Sequence, residues 1–281
     1  MPEFKTVLYE TVADHVVRIT QNRPEVRNAQ NLQLTYDLNA AFDCAAQDDD
    51  VKVIILAGAG PHFSAGHDLR AGPESFAPFK VVGTYGGFTE KGQEGMMARE
   101  EEIYLQMCRR WRNIPKPTIA QVQGRVIAGG LMLAWVCDLI VCSDDAMFCD
   151  PVVSMGVCGV EYFAHPWELG ARKAKEMLFT ADWIDAHEAH RLGMVNRVVA
   201  RERLEAEVLE LANKIAAKPM MALKLAKEAV NQTLDAQGQW NAMQTVFGLH
   251  QLAHSHNSQV YGMPVYLDPN SAQAKAAGRK S

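Results

Sequence analysis

Hydrophobic positions along the chain switch repeatedly between a period of two and a period near 3.6 residues, the signatures of strand and helix. Thr6 to Val12 and His15 to Thr20 are short and rich in β-branched residues, which predicts two strands joined at Ala13-Asp14. Asn31 then precedes Leu34, Leu38, Ala41, Phe42 and Ala45, a helical spacing behind an N-cap residue. The acidic triplet Asp48-Asp49-Asp50 reads as a solvated turn. Val51 to Ala57 is almost continuously apolar, as expected of a strand in a sheet covered on both faces.

Residues Ala71 to Gly95 are rich in glycine and proline and carry little periodicity, which predicts a long mobile loop of the kind that often serves function. A polar helix is expected from about Met96 to Asn113, ended by the prolines at 115 and 117. A strand (Thr118 to Gln123), a glycine-started helix (Gly129 to Cys137) and a further apolar strand (Asp138 to Cys142) follow. This recurrence of strand, turn, helix and strand predicts an α/β core. The last third is helical. Asp185-Ala186-His187-Glu188 reads as a capping box, and amphipathic segments run from Arg201 to Lys218, Pro219 to Leu234 and Gly238 to His254. The predicted organisation is a core over 1–200, a helical region over 201–268 and a frayed tail over 269–281.

Composition narrows the class. The chain has 281 residues, 48% of them hydrophobic and 22% charged, with a net charge of −5. A nucleic-acid partner is not expected, because neutralising phosphates needs a basic surface. No apolar run is long enough to span a bilayer. The six cysteines form no CxxC pair and mostly sit among apolar neighbours, which favours free thiols and a cytoplasmic setting.

Two glycine turns hold the candidate chemistry. Pro61-His62-Phe63-Ser64-Ala65-Gly66-His67-Asp68-Leu69 and Gly124-Arg125-Val126-Ile127-Ala128-Gly129-Gly130 each follow a strand-like run and leave backbone amides able to face outward. Two such donors can hold a carbonyl oxygen that becomes negative during reaction. Gly129-Gly130 also opens a helix, whose positive end favours an anion. Together with Asn22 to Ala29, Pro115 to Ala120, Cys137-Asp138-Leu139 and the run from Thr180 to Val199, these segments resemble the crotonase (enoyl-CoA hydratase/isomerase) superfamily from about Val7 to Val230.

That resemblance implies a crotonase-like spiral of ββα units, a C-terminal helical region for trimerisation, and an acyl-CoA ligand. The CoA thioester would be the substrate, with no cofactor and no metal, and the assembly a homotrimer or a dimer of trimers. Carried over by position, the oxyanion donors fall on the His67 and Gly129 amides. Ala65 falls where the family contacts adenine, and Arg27, favoured over Glu25, lies near the CoA phosphates. Gly66, Asp68 and Gly130 belong to the same ligand-binding turns. The two places that hold glutamates in hydratases of the family are here Met132 and Val152, neither of which can activate water or deliver a proton.

Two other acids are candidates for that work. Asp150 precedes Pro151, and Glu161 lies one position beyond the place where isomerases and dehalogenases of the family carry a carboxylate. The His67 imidazole is a further candidate base, although its amide is the favoured role. The expected function is a lyase or isomerase acting through a stabilised enolate; the alternatives are an acyl-CoA-binding protein without turnover and a CoA-thioester hydrolase. Other motifs fail. Gly58-Ala59-Gly60 lacks the third glycine of a dinucleotide site, no G-x-S-x-G elbow occurs, and His187 and His190 are three apart. His250 and His254 have the spacing of a helical metal pair, but no carboxylate accompanies them in sequence.

Overall fold

The computed structural model describes residues 3–70 and 75–268. Ala71 to Glu74 of the expected loop, and the expected tail from 269, lie outside them. β1 (Val7–Ala13) pairs antiparallel with β2 (Val16–Gln21), and His15, with φ +64°, makes the turn between them. α1 (Leu32–Gln47) follows, capped as expected by Asn31, whose side-chain oxygen accepts the Leu34 amide at 3.0 Å. β3 (Val53–Gly58) then leads through residues 75–91 into α2 (Gly92–Glu100), a π-helical stretch over Glu101–Gln106, and α3 (Met107–Arg112).

The next strands split between two sheets. β4 (Thr118–Val122) continues the large sheet, whereas β5 (Arg125–Ile127) leaves it and leads into α4 (Gly129–Trp135). β6 (Leu139–Ser143) and β7 (Met147–Cys149) divide in the same way. α5 (His165–Thr180), β8 (Ile184–Asp185), α6 (Ala186–Arg191) and β9 (Arg197–Val199) complete this part. Strand order is β1-β2-β3-β4-β6-β9 in one sheet, parallel from β2 onward, and β5-β7-β8 in the other. At α6 the Asp185 carboxylate accepts the Glu188 amide at 2.7 Å, as the capping box predicts.

The continuous apolar run of β3 has a direct cause. Ile54 and Leu56 enter the main core with α1 and α4, while Val53 and Ile55 point to the opposite face. That face is covered by α7 (Leu204–Ala216), through Leu204, Val208, Ala212 and Ala216. The helical region expected over 201–268 therefore begins with a helix that seals the sheet. α8 (Met220–Ala236) buries no residue, and Met221, Leu225 and Val230 stand more than half exposed on it. α9 (Gln239–Tyr261) returns to the body and buries Met243, Phe247, His250 and His254.

The described part of the expected loop is anchored to the body. Phe79 stacks on Tyr36 with ring centroids 4.5 Å apart, and Phe76 stacks on Phe88. Glu102, from the π-helical stretch, accepts the amides of Val82 and Gly83 and the Tyr36 hydroxyl. A π-turn shifts side chains around a helix and is common beside functional sites; this one also places Tyr104 next to His67. Among the described residues no helix is long and apolar enough to cross a membrane. All six cysteines are free; Cys44 is exposed and the others are buried or partly so.

Candidate active site

The two glycine turns meet. A β-carbon on Gly66, which has φ +83°, would lie 2.6 Å from the Ile127 carbonyl oxygen and 3.2 Å from the Gly129 amide nitrogen. One on Gly130 would lie 2.6 Å from the Ser64 carbonyl oxygen. Only glycine lets these backbones approach so closely. Neighbouring amides are used structurally: Ala65 donates to Arg27, Gln30 to Gly66, and Asp68 to Gln30. The His67 and Gly129 amides have no protein acceptor among the described residues. Ala128, just before Gly129, is held at φ +47° and ψ −113°, a conformation costly for alanine. Local strain of this kind fixes where the Gly129 amide points.

The His67 ring lies across this junction. A β-carbon on Gly129 would be 2.6 Å from its Cδ2 and Nε2 atoms. Tyr104 stacks on the ring with centroids 3.8 Å apart. Its Nε2 lies 3.7 Å from Glu161 Oε2. Glu161 is buried, and its Oε2, His67 Nε2 and Gln30 Nε2 all lack a hydrogen-bond partner. Gln30 Nε2 lies 3.2 Å from the β-carbon position of Gly129, so it and the His67 Nε2 converge on that turn. Unpaired buried polar atoms are costly and are the exception in folded proteins. Here two of them lie against the Gly129 turn and the third faces the His67 ring.

The two expected acids have different surroundings. Asp150 is fully buried and accepts from the Val152 and Val160 amides and, at 2.8 Å, from His165 Nε2. The cavity wall holds its neighbours Cys149, Pro151 and Val152, not Asp150 itself. Glu161 is not on the cavity wall either, but it faces His67, which is, on one side and His250 on the other, with Oε1 3.6 Å from His250 Nε2. Met132 is buried, its sulfur against the Tyr162 amide at 3.4 Å. Val152 lines the cavity. Neither residue brings a titratable group to its position.

A cleft of about 590 Å³ runs from His67 and Ala128 outward past Val152 and Met155 to Trp183, with Arg27 and Arg125 on its walls. Arg27 adopts a left-handed backbone that turns it to the cleft mouth, and Arg125 lies 4.7 Å over the Trp183 ring. His62 sits among them. Burial, together with Arg125, Arg27 and Arg201, holds its imidazole below the usual range. Ala65 lines the cleft, and Gly66 lies next to it in the turn. Asp68 lines the neighbouring recess but is paired to Arg23 at 3.0 Å, so it positions the turn.

Behind Glu161 lies a group that spacing alone does not show. Glu100, from the end of α2, meets His250 and His254 of α9, at 3.4 Å and 3.2 Å. The expectation that no carboxylate accompanies this histidine pair is corrected here; the acid comes from 150 residues upstream, brought by the docking of α9 on α2. Burial alone would lower the His250 pKa, but Glu161 and Glu100 outweigh it and push it up to about 9. Burial would raise Glu100, and the two histidines hold it below the carboxylate range instead. Arg125, Trp183, Tyr104, Gln30 and Glu100 are site residues missed from sequence. Arg125 and Trp183 stood inside matched segments; the other three had no local signal.

The enoyl-CoA hydratase/isomerase family model matches residues 11–275. A Mycobacterium tuberculosis protein, the candidate enoyl-CoA hydratase EchA13, is 47% identical over 92% of this chain and 84% of its own length. A solved structure of a candidate enoyl-CoA hydratase from Mycobacterium smegmatis is 53% identical, covers 94% of this chain and 99% of its own, and superposes with a TM-score of 0.85. A monofunctional enoyl-CoA isomerase from Mycobacterium smegmatis is 26% identical with a TM-score of 0.65, over 82% of this chain and 94% of its own. The mixed sheet pair, the glycine turns and the terminal helices are those of the crotonase fold, and the chain belongs to the enoyl-CoA hydratase/isomerase family.

Proposed function

We propose that the protein binds an acyl-CoA thioester with its carbonyl oxygen between the His67 and Gly129 amides, and moves a double bond through the resulting enolate. The observation that carries this reading is the buried, unpartnered Oε2 of Glu161, 3.7 Å from the Nε2 of His67, the residue that also carries one of the free amides. A single carboxylate suffices for a proton shift: it removes a proton from one carbon and returns it to another. Addition of water needs both activation of the water and delivery of a proton. With Met132 and Val152 at the two glutamate places, the second group is missing. Arg27 and Arg125 suit the phosphates of CoA, and the apolar run past Val152 and Met155 suits an acyl chain.

The exposed apolar row of α8 supports the expectation of a trimer or dimer of trimers, since helices that bury nothing in one chain tend to dock on another. The buried free thiols are in keeping with a cytoplasmic setting. The test of the main reading is deuterium exchange at the carbon next to the thioester, followed by mass spectrometry. Wild type is expected to wash deuterium into a saturated acyl-CoA, and Glu161→Gln to lose that exchange. Exchange that survives in the variant, or is absent from a wild type that binds the same thioester, contradicts the assignment.

A further inference from the structure

The cluster behind the active site has an unsolved balance of charge and hydrogen bonds. His250 Nδ1 lies 2.8 Å from the Gly159 carbonyl, and His254 Nδ1 lies 2.7 Å from the Pro264 carbonyl. A carbonyl only accepts, so each Nδ1 carries the proton and donates. In the neutral rings both Nε2 atoms are then lone-pair acceptors. They face each other at 2.8 Å. Two lone pairs at that distance repel unless a positive centre, a shared proton or a metal ion, lies between or beside them. The surrounding charge points the same way: Glu100 and Glu161 are both buried, and their ion-pair partners here are histidines alone.

From this geometry we infer a binding site for a divalent transition-metal ion of the zinc class, held by His250 Nε2, His254 Nε2 and Glu100, with Glu161 at its edge. Bonds of about 2.0–2.1 Å put neighbouring ligand atoms of a tetrahedral site about 3.3 Å apart. The separations here are 2.8 Å between the nitrogens and 3.2 Å and 3.4 Å from them to the Glu100 oxygens. The candidate donor atoms all lie within 4.8 Å of one another. Glu161 Oε1, 3.6 Å from His250 Nε2, is placed to serve as a further ligand.

The outer shell is also that of a metal centre. Ligating imidazoles usually donate their second N–H to a backbone carbonyl or carboxylate, which fixes tautomer and ring direction. Both rings do so. The Glu100 carboxylate is clamped in turn by Gln251, whose amide donates to Oε2 at 2.6 Å, and Gln251 is held by Gln93. The mix of two imidazoles and a carboxylate suits zinc, cobalt, nickel or ferrous iron better than magnesium or calcium, which take all-oxygen shells. Such an ion would tie α2 to α9 and fix the side of Glu161 that faces away from His67.

The test uses the full-length protein stripped by a chelator and dialysed. Calorimetric titration with Zn²⁺ is expected to show one ion per chain, and Co²⁺ to give the intense visible bands of a low-coordinate, nitrogen-ligated ion. Glu100→Gln and His254→Gln keep size and polarity, and each is expected to weaken binding by at least about 100-fold, the upper end of the effect of losing even an outer partner. His256→Ala, on the exposed side of α9, is expected to leave it unchanged. If a glutamine variant fails to fold, the cobalt spectrum of wild type still decides, since an adventitious surface ion gives the weak bands of a hydrated one. A wild type that binds none of these ions, or binding that survives both glutamine variants, overturns the site. The cluster would then be an imidazolium shared between two histidines. The readout is metal binding, so it stands or falls apart from any catalytic assignment.

Discussion

The two walls of the candidate site are made of opposite materials. One wall is backbone: the amides of His67 and Gly129, offered by turns whose glycines admit no β-carbon. The other, behind His67 and outside the cleft lining, is side chain: Glu161, with Glu100, His250 and His254 behind it, drawn from three distant segments and buried. The backbone wall depends on close approach and hardly at all on protonation. The side-chain wall depends on a balance between desolvation and countercharge. On the proposed reading, the first would fix where charge develops in a ligand, and the second would decide which proton transfers follow.

The sharpest way to break this division is Glu161→Gln. It keeps the shape of the side-chain wall and removes its base, so turnover is expected to fall by about 10²–10⁴-fold with acyl-CoA binding intact. Steady-state rates beside calorimetric binding would show it; a fall in binding alone would place Glu161 in recognition instead. Gly66→Ala attacks the other wall. Its β-carbon meets the Ile127 carbonyl at 2.6 Å and its φ of +83° disfavours alanine, so the His67 amide must move. Losing one oxyanion donor typically costs about 10²–10³-fold in turnover. A fully active Gly66→Ala would remove the backbone wall from the account.

The walls also differed in legibility. Gly66 and Gly129 announced themselves because a glycine after a strand-like run is a local signal, and the segments around them matched a family. Met132 and Val152 stand where the same match implies glutamates. The β3 run and the Asn31 and Asp185 caps were read correctly, since each rests on neighbours within one turn or one strand. The Glu100 cluster was not legible. His250 and His254 share a helix face, but their carboxylate comes from the far end of α2, and only tertiary docking joins them. Asp150 and Glu161 could not be ranked from sequence either. Both are isolated acids near the right place, and their difference lies in what surrounds them: three hydrogen-bond donors for Asp150, two histidines and an unpartnered oxygen for Glu161.

That contrast gives a smaller prediction. Asp150→Asn is expected to cost about 1–3 kcal/mol of stability by weakening a buried set of hydrogen bonds, while turnover per folded molecule changes little. Denaturant melts beside specific activity would check it, and a large loss of activity at unchanged stability would return Asp150 to the chemistry. At the mouth, Arg27→Ala is expected to raise KM for acyl-CoA by about 10-fold with kcat preserved, as expected for loss of one charged hydrogen bond made alike in ground and transition states. The smallest effect is expected for Ala128→Gly. Relief of the strained φ of +47° should offset the entropy of glycine and leave stability unchanged or up to about 1 kcal/mol higher, read from Tm.

The central claim, that this site shifts double bonds and lacks the second group needed to add water, is tested most directly by one paired measurement. A 3-enoyl-CoA and crotonyl-CoA are incubated separately with the same enzyme, and products are followed by mass spectrometry and chromatography. The account predicts conversion of the 3-enoyl to the 2-enoyl thioester, with hydration of crotonyl-CoA slower by at least about 10²-fold, the usual contribution of a missing acid or base. Hydration of crotonyl-CoA at about 10 s⁻¹ or faster, the range of an ordinary enzyme, would contradict it.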